Sequence, residues 1–89
     1  MTKHVLISGT VHGVGFRFFV RSNALKMGLT GWVTNTATGE VEALFQGNDD
    51  KIERMINLCR KGPMLSKVKN VEVSDLNEAE KFESFEIIK

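Results

Sequence analysis

Between His12 and Arg17 the chain places Gly13-Val14-Gly15-Phe16 and then an arginine, a combination suited to holding an anion. Glycines at a strand-to-helix junction let successive backbone N–H groups turn inward on one anion. The helix that follows adds its unpaired first-turn amides and the positive end of its dipole. Helices commonly offset that end with Asp or Glu in the first turn, whereas this one holds Phe16, Arg17, Phe18 and Phe19. The positive end is left free, and the planar fork of Arg17 can grip two phosphoryl oxygens, as a lysine cannot. His12, Gly13, Val14, Gly15, Phe16 and Arg17 are therefore the candidate phosphate-binding residues. A tight turn asks for the same glycines, so Gly13-Val14-Gly15 alone does not decide between the two uses. The spacing does exclude two nucleotide motifs. A dinucleotide fingerprint needs its third glycine where Phe18 stands, and a P-loop needs a Lys-Ser/Thr pair that does not follow.

Asn35 is the second candidate. Its carboxamide can both accept from and donate to a water lined up on phosphorus. An Asn beside Thr36-Ala37-Thr38-Gly39 also serves local turn chemistry, and composition leaves both uses open. The charge distribution bears on the whole region. Net charge is only +1, which argues against electrostatic attachment to nucleic acid or an anionic membrane. Yet residues 1–39 contain no Asp or Glu and carry Lys3, Arg17, Arg21 and Lys26, while all 11 acids fall from Glu40 onward. Such an imbalance arises by chance in a short chain as readily as by function. If it is functional, the first third frames a site for a small anion.

These residues need a scaffold. The 89 residues suffice for one domain over 1–89, with a modest core. Lys3–Val11 alternates as a strand with Val5, Ile7 and Val11 on its better-buried face and His4 turned to solvent. From Arg17 the period becomes helical, with Phe16, Val20, Ala24 and Met27 recurring at intervals of three or four, and Gly28 supplies a left-handed stop. Gly31–Asn35 and Glu40–Phe45 form a hairpin across the Thr-rich turn, with Trp32, Phe45 and Phe85 as core or half-buried strand residues. Gly47-Asn48-Asp49-Asp50 opens a second helix, where Asp50 and Glu53 resemble a capping box. Its apolar stripe is Ile52, Met55, Ile56 and Cys59, and Gly62-Pro63 ends it. A strand over about Val68–Val73 follows, then a short extended segment with Phe85 and Ile87.

The order β-α-β-β-α-β, with a possible fifth strand, predicts an α+β ferredoxin-like sandwich: a mostly antiparallel four- to five-stranded sheet with two helices on one face. A right-handed crossover through the first helix makes the first two strands parallel, with the third between them. Their C-terminal ends then share one edge of the sheet, about 10 Å apart. The His12–Arg17 loop leaves the first end and Asn35 sits near the second. A phosphate with one water fits that gap. The single cysteine excludes an internal disulfide, no apolar run approaches the ~20 residues of a membrane span, and Ser8 and Gly9 interrupt the only early apolar stretch. A cytoplasmic monomer is the expectation.

Gly9-Thr10-Val11-His12-Gly13-Val14-Gly15-Phe16-Arg17 resembles the signature of the acylphosphatases. Gly31-Trp32-Val33-Thr34-Asn35-Thr36-Ala37-Thr38-Gly39-Glu40-Val41-Glu42 is similar to their second motif, and Gly62-Pro63 and the closing Phe85-Glu86-Ile87 also fit. The resemblance covers nearly the whole chain. It implies a small acyl phosphate as substrate, bound by Arg17 and the loop amides, with Asn35 positioning the attacking water. It also implies no metal, no cofactor, no covalent enzyme intermediate, and a carboxylate plus inorganic phosphate as products. A carboxylate leaves readily, so the loose transition state asks for charge stabilisation and alignment more than for a strong base. Two positions depart from the family pattern. His12 stands where glutamine is usual, and Thr34 where a basic residue often precedes the asparagine. Protonated, His12 would add charge beside the phosphate; the alternative is a solvated loop residue.

Two rival readings draw on the same residues. Gly15-Phe16-Arg17-Phe18-Phe19-Val20 resembles the aromatic run of RNA-recognition domains, but there the aromatics lie on a central strand. Here the run falls on a loop and a helix start, and the core claims its phenylalanines, so no nucleic-acid partner is expected. A domain of this family with little turnover, as occurs within larger carbamoyl-transfer proteins, is the other rival, and Arg17 with Asn35 favours the enzyme.

Overall fold

The computed structural model describes residues 1–77 and 80–88. Five strands and two helices alternate along the chain: β1 (Thr2–Thr10), α1 (Phe16–Lys26), β2 (Thr30–Asn35), β3 (Val41–Gln46), α2 (Asp49–Lys61), β4 (Lys67–Asp75) and β5 (Phe85–Ile87). The sheet order is β4-β1-β3-β2-β5. β3 pairs antiparallel with both β1 and β2, so those two run parallel with β3 between them, as the crossover argument requires. β4 pairs antiparallel with β1, and the closing segment is a true fifth strand, parallel to β2. This is the expected α+β sandwich.

Period-two alternation puts one face of the sheet under the helices. Val5, Ala43 and Val33 stand in register across β1, β3 and β2. With Ile7, Val41, Phe45 and Phe85 they meet Phe16, Val20 and Ala24 of α1 and Ile52, Met55 and Cys59 of α2 in one core. Among the described residues no helix covers the opposite face, yet Leu44 is buried there. His4 and Trp32, its register partners on either side, bring their rings within 6.3 Å, edge to face, over it. His4 is therefore not turned to solvent as its alternation suggested. It is half-buried, and its Nε2 lies 2.6 Å from Oε2 of Glu42, a diagonal neighbour on β3. Cross-strand neighbours cover a side chain even on a face without a second layer.

Helix ends follow local chemistry. Gly28, at φ 73°, ends α1 where the sequence placed the stop. The cap of α2 is not the Asp50–Glu53 box. Asn48 is the N-cap, its Oδ1 accepting from the N–H groups of Asp50 at 2.9 Å and Lys51 at 3.4 Å. An extended Asn48 with a short amide reaches those donors first, so Asp49 and Asp50 fall inside the first turn, where they suit the dipole. Glu53 instead faces Lys3, with 3.5 Å between Nζ and Oε2.

Cys59 is fully buried on the inner stripe of α2, and burial pushes its thiol pKa up to about 12. A folded value above the ordinary 9.0 leaves stability whole below that pH and erodes it as pH rises toward the folded value. At about pH 8, a thiol reagent should therefore modify Cys59 only at the rate at which the fold opens. Labelling as fast in native protein as in denaturant would contradict this packing.

Candidate active site

The loop after β1 begins the site. Gly13 and Gly15 have φ of 73° and 77°, and Val14 between them lies outside the left-handed region. Alternating backbone hand of this kind turns consecutive N–H groups to one side. A Cβ at Gly13 or Gly15 would meet nothing within 4 Å, so the backbone angle, not crowding, calls for glycine. Gly15 is the N-cap of α1 with no side-chain cap, and no acid occupies the first turn. The helix ladder starts with the Phe19 N–H donating to the Gly15 carbonyl at 3.0 Å, which leaves the amides before it without a partner in the helix.

A cavity of about 220 Å³ opens over this loop, lined by Val11, Gly13, Gly15, Phe16, Arg17, Phe18, Asn35 and Ile87. Arg17 is the one charged residue among them, so the cavity is electropositive and free of acids. Asn35 is the last residue of β2. Its Oδ1 is buried and has no hydrogen-bond partner among the described residues. Buried polar atoms are nearly always paired, and leaving one unpaired costs about 1–3 kcal/mol. Asn35 lines the same cavity as Arg17, which makes no ion pair among the described residues, and as the loop glycines, and these are the residue types that a site for an anion and a water would require.

The structure thus brings Arg17, Asn35, Gly13, Gly15 and Phe16 together. Phe16 lines the cavity and is also a buried member of the core. His12 and Val14 are not on the lining. Val14 packs against the core edge, half-buried. His12 is exposed, with Nε2 2.7 Å from the Glu40 carbonyl oxygen. A carbonyl only accepts, so Nε2 carries the shared hydrogen and the ring ties the loop to the β2–β3 turn. That turn is itself closed by the Thr36 N–H donating to the same carbonyl at 2.9 Å. The hydroxyls of Thr38 and Thr36 donate to the Glu40 carboxylate at 2.6 and 3.0 Å and hold its pKa below the usual range. The stabilisation is present through neutral pH and is lost as pH falls through the lowered value.

Sequence reasoning missed Val11, Phe18 and Ile87. Phe18 was assigned with its neighbours to the core, but it is 68% exposed. Ile87 reaches the cavity because β5 runs parallel to β2, placing Ile87 beside Val33. No local pattern signals that. Among the described residues no three His, Cys, Asp or Glu side chains cluster as metal ligands would, and no helix is long and apolar enough to cross a membrane.

The model of the Acylphosphatase family matches residues 3–87. An acylphosphatase of Syntrophobacter fumaroxidans is 48% identical over 84 residues, covering 94% of this chain and 87% of that protein. The crystal structure of acylphosphatase from Bacillus subtilis superimposes with a TM-score of 0.95 at 33% identity, covering 99% of this chain and 98% of the other. An acylphosphatase structure from Coxiella burnetii gives 0.93 at 36% identity, covering 98% and 90%. Similarity that runs from residue 3 to residue 87, through both the loop and the Asn35 strand, places the chain in the acylphosphatase family of enzymes.

Proposed function

We propose that this chain hydrolyses acyl phosphates by direct attack of water on phosphorus. The loop amides and Arg17 hold the phosphoryl oxygens, and Asn35 orients the water. The observation that carries the reading is that Asn35, the last residue of β2, lines one cavity with Arg17 and the glycines of the β1–α1 loop. Its carboxamide oxygen, turned to the cavity, accepts from one O–H of the water and so aims the water's lone pair at phosphorus. As the new P–O bond forms, the bond to the acyl oxygen breaks and the electron pair leaves on the carboxylate. The water's proton passes to a phosphoryl oxygen of the substrate, which accounts for the reaction without a protein base. Charge spreads over the equatorial oxygens in a loose transition state, where fixed donors stabilise it most. Removing one such donor elsewhere typically lowers rate by about 100- to 1,000-fold. The working form under this proposal is a single-domain cytoplasmic monomer that needs no cofactor and no nucleic acid.

The test is hydrolysis of acetyl phosphate by the purified protein in the presence of EDTA. Turnover should be the same with and without the chelator. Loss of activity on chelation, restored by a divalent cation, would replace this mechanism with a metal-assisted one.

His12 enters as a tether. His12→Gln, whose amide N–H can make the same bond to the Glu40 carbonyl, should keep KM for acetyl phosphate within about twofold of wild type, while His12→Ala, which cannot, should raise it further. Equal KM values in the two variants would remove the tether from the account.

A further inference from the structure

We infer that a recess walled by Trp32, Phe82 and Ile88 binds a small, free quaternary ammonium cation that carries no anionic group of its own. The recess measures about 350 Å³, and Glu83, Ser84 and Glu86 also line it. That volume falls within the range of small-ligand sites, about 300–1,000 Å³. None of its residues lines the cavity over the β1–α1 loop, so the recess is separate from the site described above.

Its walls are apolar and its charged groups are acids. Trp32 and Phe82 are half-buried, while Glu83 and Glu86 are exposed. Glu86 stands in register with Trp32 across the β2–β5 pair, so a carboxylate flanks the indole on one face of the sheet. His4 and Leu44 meet Trp32 from the β3 side, which leaves its β5 side to the recess. Hydrogen bonds fix the wall beforehand. The Gly31 N–H donates to the Ser84 carbonyl at 3.0 Å, the Ile88 N–H to the Val33 carbonyl at 2.9 Å, and the Phe82 N–H to Oε1 of Gln46 at 3.0 Å. Glu86 accepts from the Ser84 hydroxyl at 3.0 Å, and neither it nor Glu83 makes an ion pair among the described residues. Aromatic rings attract a cation through their quadrupole, indole most strongly. A quaternary nitrogen has no N–H to satisfy, so its methyl groups suit apolar walls while the carboxylates meet its charge. A primary ammonium is strongly hydrated and gains less from such walls. The same carboxylates repel a phosphate, which disfavours a phosphocholine group, whether free or on a lipid.

Trp32 is the only tryptophan in the chain, so its fluorescence reports on the recess directly. The full chain is titrated with choline chloride, with sodium chloride, with the neutral isostere 3,3-dimethylbutanol and with phosphocholine. Choline should give a saturable change and sodium chloride none. The neutral isostere and phosphocholine should each bind at least about fivefold more weakly than choline. Glu86→Gln, whose amide oxygen can accept the same Ser84 bond, should raise the choline Kd about three- to fivefold, and Phe82→Leu by a similar factor. Glu86 is exposed, so its variant keeps the fold and decides the matter on its own. Saturating inorganic phosphate should leave choline binding unchanged. A choline response no different from that to sodium chloride overturns the site. Equal affinity for 3,3-dimethylbutanol, or an unchanged Kd in Glu86→Gln, overturns it as well, since either would mark the recess as an apolar dent. Binding to phosphatidylcholine vesicles without binding of free choline would assign the recess to a membrane surface and overturn it too.

Discussion

Replacing Arg17 with glutamine should lower kcat/KM for acetyl phosphate by about a thousandfold or more without unfolding the protein. The size follows from what surrounds it. Arg17 is the one charged residue on the cavity lining, so no neighbour substitutes for its charge. Glutamine keeps a single donor where the guanidinium offers a fork, and it carries no charge to meet the developing phosphoryl oxygens. Both KM and kcat should worsen, because the ground state and the transition state share the anion. Stability should not suffer. Among the described residues Arg17 makes no ion pair, and it sits in the first turn of α1 with no acid nearby. A cation at the positive end of a helix dipole is unfavourable by about 0.3–1 kcal/mol at most, so Arg17→Gln should melt at or slightly above wild type. Arg17→Lys separates charge from geometry: recovery of most of the activity would mean that charge alone matters. Full activity in Arg17→Gln would end the mechanism.

Asn35→Ala should divide the kinetic constants differently. Phosphate binding by the loop and Arg17 is untouched, so KM should stay within about threefold of wild type while kcat falls by about 100- to 1,000-fold. The same substitution should leave stability unchanged or raise it by up to about 1 kcal/mol. Oδ1 is a buried acceptor without a partner among the described residues, and alanine removes it along with its desolvation penalty. A residue that served only the turn would behave in the opposite way. Its loss would lower the melting temperature and leave kcat alone. Chemical denaturation read beside steady-state kinetics on one preparation distinguishes the two.

What the chain discloses about itself depends on how local the determinant is. The alternation of Val5 and Ile7, the helical spacing of Phe16, Val20 and Ala24, and the stop at Gly28 are local, and each element formed where its pattern stood. Topology followed because crossover handedness constrains which strands become neighbours. That constraint alone brings Arg17 and Asn35 to one edge of the sheet. Determinants that act across the sheet were not legible. Ile87 belongs to the cavity only because β5 adds to β2, and His4 is covered only because Trp32 and Glu42 stand on other strands. Phe18 was misplaced for a related reason. Phe16, Phe18 and Phe19 are chemically alike in sequence, yet helix geometry buries the first, half-buries the third and turns the middle one out. The Asn48 cap shows the limit at the smallest scale, since several residues in Gly47-Asn48-Asp49-Asp50 could cap and backbone angles decide which does.

The acid-free first third of the chain now has a physical reading. Its basic residues do not gather at the site: Lys3 pairs with Glu53 and Asp75, and of the four only Arg17 lines the cavity. The absence of acids matters more than the presence of bases, because it leaves the α1 dipole and the loop amides uncompensated. Glu40, the first acid in the chain, is bound into the Thr36–Thr38 turn by its carboxylate.

The central claim is that this cavity aims a water at phosphorus. Hydrolysis of benzoyl phosphate by the wild-type protein in water enriched with the heavy oxygen isotope tests it most directly. The account predicts that the label appears in inorganic phosphate, with none in benzoate beyond the uncatalysed background. Label in benzoate would mean attack at the carbonyl carbon, and the roles given to Arg17 and Asn35 would be wrong.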